Sequence, residues 1–85
     1  MPFVEIYKLK NDGSQEIIAV CRLKGNAVRC DGQPVFIENL KSGGIRDYSS
    51  PKGNKLFLKD GLLFLEQLKY NFKSGYLNAS EVKYD

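Results

Sequence analysis

The chain has 85 residues, with thirteen Lys and Arg against ten Asp and Glu (net +3), 42% hydrophobic and 12% aromatic residues, and no histidine. That length and composition fit one folded domain, residues 1–85, able to bury its own core, and exclude a disordered segment. The lack of histidine excludes Ser/His/Asp and Cys/His nucleophiles and every His-containing metal site, and two cysteines cannot close a tetrahedral zinc site. No metal, no cofactor and no enzymatic activity are expected. No run approaches the roughly 18 apolar residues of a membrane span, and the opening MPFVEIYKLK alternates polar and apolar residues where a signal peptide needs a continuous apolar segment. A soluble, cytoplasmic, small basic protein without a membrane partner is the expectation.

Residues 2–10 (PFVEIYKLK) and 15–24 (QEIIAVCRLK) are rich in β-branched and aromatic side chains and flank the turn NDGS, which predicts an antiparallel hairpin. A two-residue Asp12-Gly13 turn pairs Lys8 with Ile17. A three-residue loop ending on Gly13 instead pairs Lys8 with Glu16, Tyr7 with Ile17 and Ile6 with Ile18, and gives the better cross-strand chemistry. Gly25-Asn26 supplies the glycine that a type II′ turn needs first, so a third strand is predicted over 27–31. In that register Leu23 faces Val28, Arg22 faces Arg29, and Cys21 stands opposite Cys30 at a narrow, non-hydrogen-bonded position with Cα atoms about 4.5 Å apart.

A disulfide there would close a loop of about ten residues and contribute about 2–3 kcal/mol. In an intracellular chain, however, cysteine behaves as a small buried hydrophobe, so reduced core thiols are the expectation.

Pro34 can open a helix near 34–42, PVFIENLKSGG, with Val35, Ile37 or Phe36, and Leu40 on its apolar face and Gly43 or Gly44 ending it. VFI also suits a short strand. Residues 45–55 read as an irregular crossing, and KLFLK at 55–59 as either a strand or the run-in to the next helix. The C-terminal helix spans 60–73, with Asp60 as N-cap and Ser74-Gly75 as the stop; Phe64, Leu65, Leu68 and Phe72 form its apolar stripe. Leu63 and Tyr70 lie seven apart on a second, smaller stripe. YLNASEVKYD closes the chain as a short strand returning to the sheet.

Asp60, Gly61, Phe64, Leu65, Leu68, Phe72, Tyr76, Ala79 and Val82 give residues 60–82 a pattern that resembles the C-terminal half of short uncharacterised bacterial and archaeal proteins of unknown function. The resemblance implies a shared fold and no activity.

Charge is unevenly placed. Residues 41–59 hold Lys41, Arg46, Lys52, Lys55 and Lys59 against Asp47 alone, so this segment is +4 and the remainder about −1. None of Gly43, Gly44 and Gly53 begins a P-loop spacing, and no G-x-G-xx-G is present. A looser anion or nucleic-acid site survives, with Lys41, Arg46, Lys52 and Lys55 around a glycine nest, Tyr48 to stack on a base, and Arg22 and Arg29 on the hairpin. The bland alternative is a solvated connector. The carboxylates show no paired grouping, and Asn78-Ala79-Ser80 is a chance sequon.

The hairpin shows an apolar surplus. Phe3, Tyr7 and Leu9 stand on one face of the first strand with Val4 and Ile6 on the other; Ile17, Ala19, Cys21 and Leu23 oppose Ile18 and Val20. One helix covers one face, and the 34–42 helix covers part of the second or leaves about five large apolar side chains exposed as an interface.

The sequence therefore predicts an α+β fold: a small antiparallel sheet of three or four strands, an N-terminal β-meander, with a C-terminal amphipathic helix packed on one face and a shorter helix near 34–42. Its expected function is a non-enzymatic interaction module that forms a homo-oligomer or binds a protein partner, using Phe3, Tyr7 and Leu9 or Leu63 and Tyr70. The alternative is nucleic-acid or anionic-ligand binding through the basic 41–59 loop.

Overall fold

The computed structural model describes residues 1–46, 55–69, 73–74 and 77–85, with the backbone alone at Lys69, Lys73 and Ser74. Tyr48, Lys52, Tyr70, Phe72 and Tyr76 lie outside the described residues. The fold is mixed α+β, with a mostly antiparallel sheet and two helices. In chain order the elements are β1 (Pro2–Leu9), β2 (Gln15–Lys24), β3 (Ala27–Gly32), α1 (Pro34–Ser42), β4 (Ile45–Arg46) and β5 (Lys55–Leu56). They continue with α2 (Gly61–Lys69), β6 (Lys73–Ser74), β7 (Leu77–Ala79) and β8 (Lys83–Tyr84).

The main sheet runs β3-β2-β1-β7-β6, with β8 also on β1, so among the described residues it has six strands rather than three or four. The extra strands are two or three residues long, too short to carry a period-two signal. Residues 45–55 are not wholly irregular either: β4 and β5 pair antiparallel, Ile45 with Leu56 and Arg46 with Lys55.

The β1–β2 hairpin closes through a three-residue loop. Lys10 and Gly13 bond across it, Gly13 takes the left-handed conformation (φ 87°), and the Asp12 carboxylate accepts the Ser14 N–H at 2.9 Å. Tyr7 therefore pairs with Ile17 and Lys8 with Glu16, as the better of the two registers requires. One position further the register shifts: Ile6 pairs with Ala19, not with Ile18. A bulge at Ile18 thus joins the two competing registers in one hairpin. It also re-sorts the faces, because Ala19, Cys21 and Leu23 go inward with Ile18 while Ile17 stays outside.

The bulge is locked by tertiary contact. The Ile18 carbonyl accepts the Gln33 N–H at 2.8 Å, and a Cβ on Gly32 would lie 2.2 Å from that same oxygen. Only glycine fits there.

β3 pairs with β2 in the register that the Gly25-Asn26 turn predicts, placing Cys21 opposite Cys30 and Arg22 opposite Arg29. The two cysteines form a disulfide with Cα atoms 4.0 Å apart, so the expectation of reduced thiols does not hold. The spacing of a narrow antiparallel pair already brings the two sulfurs within reach of each other.

Pro34 opens α1, which buries Phe36 and Leu40 and leaves Val35 exposed, so the apolar face is narrower than the sequence suggests. Asp60 caps α2, its carboxylate accepting the Leu63 N–H at 3.0 Å. α2 is described over Gly61–Lys69, and it does not run to 73, because Lys73–Ser74 is already β6, paired with β7. Phe64, Leu68, Phe36 and Leu40 meet Val4, Ile6, Ala19, Cys21, Leu23, Leu56 and Leu77 in a single buried cluster. α1 therefore does not cover the second sheet face, since its buried residues join the same core as those of α2.

Candidate functional site

Alternation along β1 sends Val4 and Ile6 into the core and leaves Phe3, Glu5, Tyr7 and Leu9 on the outer face. Across the ladder this face continues with Ile17, Val20 and Arg22 on β2, Arg29 and Asp31 on β3, Asn78 on β7 and Lys83 on β8. Ile17 is 50% exposed and Leu9 42%, while Phe3, Tyr7 and Val20 are half-buried. Tyr7 stands directly opposite Ile17, with Leu9 one step along on the same side. These three make one apolar patch near the hairpin turn. Among the described residues, the buried side chains of both helices lie on the other side of the sheet.

Toward the Phe3 end of the same face, charges stand in matched pairs. Arg22 Nη1 lies 3.1 Å from an Asp85 oxygen, Arg29 Nε lies 3.5 Å from Asp31, and Lys83 Nζ donates to Glu5. Arg22 also sits over the Phe3 ring, 5.5 Å from its centroid. The Glu5 hydrogen bond raises the Lys83 pKa above its ordinary value, and the Met1 ammonium, more than Arg22, lowers that of Asp85.

The basic segment lies elsewhere. Arg46 and Lys55 oppose each other in β4–β5, and Lys41 and Lys55 line a groove of about 400 Å³ with Leu40, Gly43, Phe57 and Leu58. Buried Leu56 and a Gln67 Nε2 bond to the Lys55 carbonyl at 2.7 Å tie β5 to the helical side of the sheet. Arg22 and Arg29 point from the opposite face. The cationic surface expected from the sequence is thus divided by the sheet into two sites. Leu63 is half-buried on α2, whereas its expected partner Tyr70, like Tyr48 and Lys52, lies outside the described residues.

No family model matches the chain, and no curated protein or solved structure does either. Among the described residues, no group of three His, Cys, Asp or Glu side chains is placed to hold a metal ion, and no helix is long and apolar enough to cross a membrane.

Three members of the outer face escape sequence reasoning. Strict alternation groups Ile17 with Ala19, and only the bulge separates them. Asp31 and Lys83 carried no signal of their own, since their roles come from where β3 and β8 lie in the sheet.

Proposed function

We propose that this chain is a non-enzymatic interaction module that forms a homodimer by stacking the outer face of its sheet on that of a second copy. The observation that carries the reading is the Tyr7–Ile17–Leu9 patch, outside the core and sharing its sheet face with internally matched ion pairs. A face holding both signs can meet its own copy with cation over carboxylate under a two-fold rotation. A polyanion would have to displace Asp85, Asp31 and Glu5 from the same cations.

Size fits a weak contact with that partner. At about 3.3 Å per residue and about 4.8 Å between strands, β2, β1, β3 and β7, with ten, eight, six and three residues, outline a face of roughly 430 Å². Two such faces bury roughly 860 Å² in total, in the range of weak, transient interfaces. The dimer is therefore a weak one, with Kd on the order of micromolar.

Sedimentation equilibrium from about 1 to 500 µM tests this, that range bracketing a micromolar Kd. The mass should rise from monomer to dimer for the wild type and stay monomeric for Ile17→Asp, whose side chain is exposed and leaves the core intact. A wild type monomeric throughout the range refutes the reading.

A second reading rests on a separate observation, the cross-strand pairing of Arg46 with Lys55 beside Lys41, the latter two in a groove with no acidic lining side chain among the described residues. Here a single-stranded nucleic acid or another anionic ligand binds at β4–β5. Fluorescence anisotropy with single-stranded DNA should show binding that weakens steeply with salt and in Lys41→Ala/Lys55→Ala. An affinity that does not change with salt refutes it.

A further inference from the structure

The disulfide is unequally placed. Cys21 is fully buried among Val4, Ala19 and Leu23, whereas Cys30, on edge strand β3, is partly exposed and lines a groove of about 590 Å³ between β3 and α1. Asp31, Gly32, Pro34, Ile37, Glu38 and Lys41 are among its other lining residues. Its volume lies within the range of small-molecule sites, and its walls carry the apolar Pro34 and Ile37, the Lys41 cation and the Glu38 carboxylate. Such a lining suits a small zwitterionic molecule. The groove opens on the helical side of the sheet, so it is separate from the outer face assigned to dimerisation.

Thiol–disulfide exchange requires an attacking thiolate to reach one sulfur, with the other as leaving group. Burial decides which is which, because nothing of Cys21 is open to solvent. We propose that Cys30 is a modification site for a low-molecular-weight thiol that enters the β3–α1 groove.

The thiolate of the small thiol attacks Cys30 Sγ, forming an S–S bond to Cys30 while the Cys30–Cys21 bond breaks. The electron pair leaves on Cys21 Sγ, which takes up the proton the small thiol gave up. The product is a mixed disulfide at Cys30 and a thiol at Cys21, with no external oxidant or reductant consumed beyond the small thiol itself. Cys21, still within the core, is shielded from a second molecule of reagent. A further small thiol attacking the mixed disulfide completes the reduction and releases a symmetrical disulfide.

The test uses the intact, unreduced protein with reduced glutathione as one probe and 2-mercaptoethanol as a neutral one. Samples are acid-quenched over time, and intact mass and peptide mapping locate the adduct. The first product should carry one thiol, on Cys30 in preference to Cys21 by at least about ten to one, as access control of the exchange requires. Lys41→Glu, an exposed substitution, should slow the reaction with glutathione roughly two- to five-fold, a surface-charge effect, and leave 2-mercaptoethanol unchanged. The proposal is overturned by adducts on Cys21 or shared between both sulfurs, or by reduction with a protein dithiol alone. It is equally overturned if the denatured, unreduced protein titrates with two free thiols, since no disulfide would then exist to be exchanged.

Discussion

Gly32→Ala is the sharpest test of how this sheet is built. A methyl group at residue 32 would lie 2.2 Å from the Ile18 carbonyl oxygen, 2.6 Å from Ala19 Cα and 2.7 Å from Ala19 Cβ. Two of these atoms are backbone at the bulge, so no side-chain rotation relieves the overlap, and β3 must withdraw by about 1 Å to restore ordinary contact distances. That withdrawal stretches the 2.8 Å bond from Gln33 N–H to the Ile18 carbonyl beyond hydrogen-bonding range. Overpacking costs about 1–3 kcal/mol and the lost bond about 1, offset by about 0.5 from the stiffer unfolded chain. The net destabilisation is about 1.5–3.5 kcal/mol. With a urea m-value near 1 kcal/mol/M for so small a domain, the unfolding midpoint followed by circular dichroism should fall by about 2 M. Asp31→Ala, one residue away but exposed, should stay within about 0.5 kcal/mol of wild type. A Gly32→Ala midpoint within about 0.3 M of wild type would refute the argument, since it would mean β3 can withdraw from the bulge almost without cost.

Three further expectations can be checked alongside it. Replacing both Cys21 and Cys30 with Ala opens a loop of nine-residue separation and should cost about 2.5–3 kcal/mol in urea unfolding, whereas a loss under about 1 would contradict the bond. Asp60→Ala removes the cap on the Leu63 N–H and should lower stability by about 1 kcal/mol, with Asp60→Ser largely restoring it. The Lys83 pKa is raised in the folded chain by Glu5, so its contribution is full below the ordinary value of 10.5 and is lost as pH rises through the higher folded value. The Phe3–Lys83 ladder should therefore loosen, by amide exchange, only in strong alkali, and Glu5→Gln should abolish that pH dependence.

Much of the fold was legible locally. The Gly25-Asn26 turn alone set the β2–β3 register and put the cysteines opposite each other, and Pro34 and Asp60 marked both helix starts. The bulge was not legible, because each hairpin register satisfied the chemistry of half the strand and only the Gln33–Ile18 contact chooses to use both. The end of α2 was hidden for a related reason: apolar spacing continues toward Phe72, yet residues 73–74 pair with β7, a contact that spacing cannot see. The outer face was half visible, in Phe3, Tyr7 and Leu9, while Ile17 changed sides with the bulge. The oxidation state of the cysteines had no signal beyond their opposition.

β1 is made before the other strands of its sheet and lies in the middle of it. One of its edges is satisfied by β2, which follows at once, but the other waits for residues some 75 positions later, where Glu5 exchanges hydrogen bonds with Ser80. During synthesis the β1–β2–β3 meander emerges with the far edge of β1 open, a row of unpaired N–H and C=O groups able to template another strand. Closing that edge is a long-range event and a slow one. A nascent chain halted before Leu77 is thus an aggregation hazard, and emergence of β7 and β8 closes that edge.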